Sequence, residues 1–414
     1  MNRLMRSRAP ASLTTFYIIR IVGAFAFALV MTYEFVLHTV TVGLTPIQLV
    51  AAGVVLESMT ILFEVPTGVV ADAYSRRLSI IIGIFLMGSG FLLEGIWPLF
   101  AMVLLAQVLW GLGFTFISGA TIAWITDEIG EVATRDALLR GMQLAQVARL
   151  LAVAVATGLA SLSVQLPIII GAGLQLLLGV YLVLFMREEN FRPKTHATPI
   201  FQQTVEPFWE SVQLVKIRPM LTTILLLGLV IGVYAGSFDR LNTPYLVEQI
   251  QFPDIGRLDS VAWFGILNGI VAFASLIGSE WARRRKLDSN RAVMRMLSLL
   301  YSGMIVSTLL FTLTNQFALV LLSYCVSQSL RNVSRPILTI WINHNATSEV
   351  RATVISMYWQ ANALGQVAGT PPLGWVAMRW SLRAALTCAT LFYSLALVLL
   401  RLPSRAPKHA DEPG

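Results

Sequence analysis

Long apolar stretches separated by short polar breaks set the pattern of this chain. Twelve stretches of predominantly apolar residues occur, near 14–38, 46–69, 78–96, 99–123, 139–162, 165–186, 219–246, 260–281, 292–313, 317–342, 352–376 and 382–402. A stretch of about 20 such residues makes an α-helix long enough to cross the hydrocarbon layer. The pattern therefore predicts twelve spanning helices. A membrane β-barrel is excluded, because its strands are only about ten residues long and alternate apolar with polar positions. Sharing 414 residues among twelve spans leaves about 34 for each span with its loop, too few for a separate soluble domain.

The one long connection is 187–218. It carries Arg187, Glu188, Glu189, Arg192, Pro193 and Lys194, then an amphipathic piece from Phe208 to Lys216. The predicted organisation is a six-helix bundle over 1–186, a cytoplasmic linker over 187–218, a second six-helix bundle over 219–402 and a cytoplasmic tail over 403–414.

Composition agrees with a bilayer. Hydrophobic residues make up 56% and charged residues 13%, where a soluble domain has about 25% charged. Mean hydropathy is +0.72. Cys325 and Cys388 both sit inside apolar runs and the four histidines are scattered, so neither a disulfide frame nor a metal site is expected. Charge placement sets the topology. With the N-terminus inside, three of the 30 lysines and arginines fall in outer loops (Arg257, Arg379, Arg383) and five lie within spans (Arg20, Arg149, Arg240, Arg331, Arg335); the rest are on the inner side. Inner loops are enriched in Lys and Arg, so both termini are predicted to be cytoplasmic. The net charge of +8 then reflects topology, and no nucleic-acid partner is implied. The first apolar run is too long for a cleaved signal and reads as an uncleaved first span.

The two halves carry matching features. The loop after the second span reads Gly68-Val-Val-Ala-Asp72-Ala-Tyr-Ser-Arg76-Arg77, and the loop after the eighth reads Gly278-Ser-Glu280-Trp-Ala-Arg283-Arg284-Arg285. Tyr33-Glu34-Phe35 in the first span has a counterpart in Phe238-Asp239-Arg240 in the seventh. Such spacing points to an internal duplication. The segment Gly68 to Arg77 resembles the signature between helices 2 and 3 of the major facilitator superfamily. Arg351-Ala-Thr-Val-Ile-Ser-Met357, with Glu64, Pro66 and Thr67, is similar to strings in its drug:proton antiporters. Two features depart from that group. Gln107 stands where the fourth-helix pattern Gln107, Gly111, Gly113 would carry an arginine, and Gly141 to Gly158 lacks the antiporters' proline.

The resemblance implies an all-α fold of two pseudo-symmetric six-helix bundles working by alternating access. It also implies a cytoplasmic gate made of Gly68, Asp72, Arg76, Arg77 and Asp127. Asp72 is expected to meet the start of the eleventh span near Arg351. The alternative is that Arg76 and Arg77 act only as topology determinants.

Ionisable residues inside spans are costly and are functional candidates by default. A proton-coupled carrier needs a carboxylate that changes charge as solvent access switches, and Glu34, Glu57 and Asp239 are the candidates. The alternative is fixed ion pairs that hold the bundle. Polar stripes run along the first, fourth and tenth spans. In the family, helices 1, 4, 7 and 10 line the cavity, so Gln107, Arg240, Gln328, Arg331 and Arg335 are substrate-cavity candidates, joined by the intramembrane charge Arg149 of the fifth span and by Trp359 of the eleventh, which could stack on a flat apolar ligand; interhelical hydrogen bonding is the alternative. Glu34 and Arg240 are expected to pair across the outer mouth. Gly228, Gly232 and Gly236 offer a smooth packing face.

The expected function is proton-coupled efflux of small amphipathic molecules. The alternatives are an uptake permease for a small metabolite, where Arg331 and Arg335 could favour an anion although the intramembrane charges as a whole cancel, and a non-transporting receptor or scaffold. No enzyme motif occurs within a span. No cofactor is expected beyond a proton gradient. The expected partners are a small-molecule substrate, protons and the lipid bilayer of the cell membrane, with the chain acting as a monomer.

Overall fold

The computed structural model describes residues 2–193, 219–253, 261–285, 287, 289–345 and 351–401. The chain is all-α, and no strand occurs among the described residues. The elements are α1 (Asn2–Val36, continuing as a π-helical turn Leu37–Thr41), α2 (Pro46–Ala73), α3 (Arg76–Ile96), α4 (Phe100–Ile117), α5 (Ala120–Ile129), α6 (Glu131–Ala160) and α7 (Gln165–Phe185). Then follow α8 (Pro219–Gln249), α9 (Ala262–Arg283), α10 (Asn290–Leu313), α11 (Phe317–Asn345), α12 (Arg351–Arg379), α13 (Leu382–Tyr393) and α14 (Leu395–Arg401). The pairs α4/α5 and α13/α14 each form one broken span, so the described residues hold the twelve helices that hydropathy predicts.

Local chemistry sets the ends. Pro46 opens α2 behind a capping box in which the Thr45 N–H donates to Gln48 Oε1 at 2.9 Å. Ser75 caps α3 by accepting from the Leu78 N–H at 3.0 Å. The α4/α5 break falls at Gly119, whose φ of 61° suits a residue without a Cβ. Ten of the twelve spans are long and apolar enough to cross a membrane on composition alone. The exceptions are α11 and α12. The first carries Gln328, Arg331 and Arg335; the second carries Asn362, Gln366 and the Pro371-Pro372 pair.

The chain forms two compact units. Unit 1 comprises Met1–Ile200, Asp239–Phe273 and Gly374–Leu382; unit 2 comprises Phe201–Phe238, Ala274–Leu373 and Arg383–Gly414. In unit 1, α1 packs on α6 and α7, and α3 packs on α4 and α7. One core layer is built from Phe16, Ile80, Ile84, Trp124 and Leu182, another from Val30, Met87, Phe91 and Ile168. Where α3 crosses α4, Gly83 and Gly113 lie back to back, and a Cβ on Gly83 would stand 2.5 Å from the Gly113 carbonyl oxygen. In unit 2, α10 packs on α11. The stripe Gly228, Gly232 and Gly236 of α8 abuts Tyr358, Asn362 and Thr370 of α12, so it is a packing face.

Candidate functional site

Buried polar groups converge at one place in unit 1. Glu34, near the end of α1, is 1% exposed, and its Oε1 accepts a 3.0 Å hydrogen bond from Gln107 Nε2 of α4. One turn on, the buried His38 lies in the π turn, with Nε2 3.1 Å from Glu94 Oε2 of α3. Glu94 is fully buried. A ligand atom from each of Glu34, His38 and Glu94 lies within 4.8 Å of the others. Glu34 Oε2 and Glu94 Oε1 are sealed from solvent without a hydrogen-bond partner.

The backbone explains the convergence. Residues 34 and 38 are four apart, so a helix puts them on one side. The run Thr39-Val40-Thr41-Val42 is β-branched and disfavours regular α-helix, and here the chain widens into the π turn before Gly43 at φ 70°. Arg240 from α8 completes the site. Its guanidinium carbon lies 5.2 Å from the centroid of the Phe35 ring, and a Cβ on Gly53 of α2 would collide with that guanidinium. The expected pairing of Glu34 with Arg240 takes the form of a charge interaction: the Arg240 charge acts on Glu34 while its guanidinium stacks on the neighbouring Phe35 ring, and the hydrogen bond to Glu34 comes from Gln107.

Of the predicted residues, the structure thus brings together Glu34, Gln107 and Arg240. Glu57 is half-buried on α2, and Asp239 is half-buried with its backbone carbonyl accepting from Asn242 Nδ2 at 3.4 Å. Arg149 is exposed on α6, close enough to Arg20 of α1 for their like charges to interact. Gln328, Arg331, Arg335 and Trp359 belong to unit 2. There Arg331 Nη1 donates to Gln328 Oε1 at 3.5 Å, and Trp359 stands edge-on to Tyr358 with centroids 5.1 Å apart.

Sequence reasoning missed His38 and Glu94 as site residues. The one available signal was the four-residue step from Glu34 to His38. Nothing in the sequence links Glu94 to either. The histidines, expected to be scattered, contribute one member to a cluster with an N/O donor set of the kind that could surround a cation.

A second network occupies the predicted inner end of unit 1. Arg76 Nη1 lies 2.5 Å from Asp127 Oδ2, and Arg76 Nη2 lies 3.6 Å from Asp72 Oδ1. Arg77 Nη2 donates to the Val183 carbonyl at 2.7 Å. Glu188, another residue not singled out from sequence, sits on the α3 N-terminus: it accepts from Ser75 Oγ at 2.5 Å and from the backbone N–H of Arg76 at 2.8 Å and Arg77 at 3.0 Å. A carboxylate at a helix N-terminus meets unsatisfied N–H groups and the positive end of the dipole. A Cβ on Gly68 would meet open space. In unit 2, Glu280 pairs with Arg283 at 2.7 Å and Arg284 at 2.8 Å. The pairs Asp72–Arg76 and Glu280–Arg284 are both one turn long and 208 residues apart in sequence, which matches the duplication.

The profile of the Major Facilitator Superfamily matches residues 13–370. This chain belongs to the Major Facilitator Superfamily. It is a multi-pass membrane transporter and not an enzyme. Among curated superfamily members it is 22% identical over 370 residues to the uncharacterized MFS-type transporter YxaM of Bacillus subtilis (strain 168), covering 88% of each chain. Among solved structures it is similar to the nucleoside transporter NupG (TM-score 0.69, 13% identity, 94% of this chain and 97% of that one). It is also similar to a bacterial homolog of the human lysosomal transporter Spinster (TM-score 0.69, 12% identity, 94% and 95%). A POT family transporter in complex with 5-aminolevulinic acid gives a TM-score of 0.68 at 12% identity, with 94% of each chain covered. At these identities the solved structures speak for the superfamily fold.

Proposed function

We propose that this transporter couples inward proton movement to the export of small amphipathic molecules across the cell membrane. In this reading it works as a monomer with both termini in the cytoplasm. The observation that carries the coupling is the sealed cluster of Glu34, His38 and Glu94 beside Arg240. With both carboxylates ionised and the imidazole neutral, Arg240 leaves the cluster one negative charge in excess. Isolated charge in a low-dielectric interior is strongly unfavourable. One added proton, on His38 or on a carboxylate, balances the site. The hydrogen bond between His38 and Glu94 gives that proton two adjacent positions, and exposure of the cluster to the other side would release it. A bound cation would have to displace this hydrogen bond beside the Arg240 charge, which favours protons as the occupant.

Export is supported by the likeness of Arg351 to Met357, and of Glu64, Pro66 and Thr67, to strings in drug-exporting members. At about 2.3 kcal/mol per charge per 100 mV, one imported proton supports tenfold or greater outward accumulation. A second reading, uptake of a small anionic metabolite, is favoured by Arg331 and Arg335 within α11. The test is expulsion of ethidium and of fluorescein from energised cells, with and without a protonophore, for the unaltered chain and Glu34→Gln. Expulsion that collapses with both the protonophore and the variant is expected. Expulsion that is indifferent to the protonophore overturns proton coupling.

A further inference from the structure

Unit 2 has its own polar face, and it differs in kind from the cluster around Glu34. The α11 helix is too polar to pass as a span on composition, although it occupies the place of one. Its charge lies deep in the helix: Arg331 is 8% exposed, while Arg335, one turn later, is exposed together with Asn332. An exposed arginine in mid-span is strongly disfavoured against lipid tails and belongs to a water-filled path. A four-residue step puts Arg331 and Arg335 on one side of the helix. Both charges act on the buried hydroxyl of Tyr358 in α12. Gln328, one turn earlier, accepts from Arg331 Nη1 and so helps fix the plane of that guanidinium. Next to Tyr358, Trp359 is 53% exposed and stands edge-on to the tyrosine ring. From Arg291 to Leu402 the sequence contains a single carboxylate, Glu349, so the field in this stretch is positive.

We propose that Arg331 and Arg335, with Gln328, Tyr358 and Trp359, form the substrate's head-group site, and that the substrate is an organic anion with a carboxylate on a flat apolar body. A guanidinium fork matches the two oxygens of a carboxylate, and an indole face offers stacking area to the body. This assignment rests on the reading of the chain as a carrier, but not on the direction or energy source of transport.

The test is equilibrium binding to the purified full-length protein without any gradient, using three matched probes: 1-naphthoate, the neutral 1-naphthamide and the cation 1-naphthylmethylammonium. Saturable binding of the naphthoate is expected, with the amide at least about tenfold weaker and the cation weaker still. Arg335→Gln, at an exposed position, is expected to lower naphthoate affinity about tenfold or more. Arg331→Lys is expected to retain part of the affinity, since it keeps the charge and loses the fork, and Arg331→Gln to lose more. Trp359→Ala should weaken 1-naphthoate more than acetate-sized anions. Equal binding of all three probes, or unchanged naphthoate affinity in a folded Arg335→Gln protein, overturns the proposal. Protonophore-sensitive expulsion of ethidium alongside absent naphthoate binding would overturn the anion site and leave proton coupling standing. Naphthoate binding in a chain whose transport ignores the protonophore would do the reverse.

Discussion

Gln107 of α4 donates a 3.0 Å hydrogen bond to Glu34 of α1 where both side chains are buried, at the sequence position where the family's fourth-helix pattern carries an arginine. A neutral amide holds the carboxylate in place without cancelling its charge, which is what the proposed proton-coupling role asks of Glu34.

Removing the two partners should therefore have different effects. Glu34→Gln keeps shape and a polar partner for Gln107; the protein is expected to keep its thermal stability within a few degrees and to lose gradient-driven transport. Gln107→Leu leaves the carboxylate without that donor, at a cost of about 1–3 kcal/mol. Its melting temperature should fall and transport should drop about tenfold. Full activity in Glu34→Gln would move the coupling group elsewhere.

His38 and Glu94 share a hydrogen bond across α1 and α3. Glu94→Gln and His38→Asn should each flatten the dependence of transport on external pH over about pH 5 to 8, because each removes one of the pair's two adjacent proton positions. Transport by reconstituted protein, measured over that range, checks this. A profile unchanged in both variants would assign the pair a purely structural role.

The adjacent arginines of the inner loop should prove unequal. Arg76 is buried and bridges Asp72 and Asp127, whose side chains are about one-third exposed, so Arg76→Ala should destabilise by about 1–3 kcal/mol, below the range for a fully buried pair. Arg77 makes a hydrogen bond to the Val183 carbonyl, and Arg77→Ala should cost under about 1 kcal/mol. Unfolding in detergent compares them. Equal losses would favour the view that both serve only as topology determinants. If the loop is a latch, Asp72→Asn should also slow transport.

Two glycines give a further contrast. Gly83→Val drives side-chain atoms into the Gly113 carbonyl and the Ile117 side chain, and should destabilise by about 1–3 kcal/mol. Gly68→Ala adds a methyl to open space within α2 and should keep the melting temperature or raise it slightly, since alanine favours helix over glycine. Loss of transport in Gly68→Ala with stability retained would mean that the signature glycine serves a conformation other than the one described.

The twelve helices were legible because length and hydropathy are local properties. The membrane can be inferred from some 20 consecutive residues without knowing their neighbours in space. Even α11 and α12, the two most polar spans, were legible as predominantly apolar stretches at 317–342 and 352–376. The Gly68–Arg77 signature and its weaker copy at Gly278 were equally local, and the one-turn pairs Asp72–Arg76 and Glu280–Arg284 follow from helical spacing alone. The site was legible only in part. Glu34, Gln107 and Arg240 announced themselves as polar groups in apolar runs, since such burial demands a reason. Which groups meet was decided by tertiary structure. His38 reaches Glu94 across 56 residues, Gln107 reaches Glu34 across 73, and Glu188 caps α3 from 112 residues away. These contacts depend on helix crossings set by close packing, as at Gly83 and Gly113, and on a π turn whose geometry no hydropathy pattern records. The sequence thus determined that buried charges exist and roughly at what depth; the packing of the helices decided their partners, because hydrogen bonds and charge pairs act over a few ångströms of space and not along the chain.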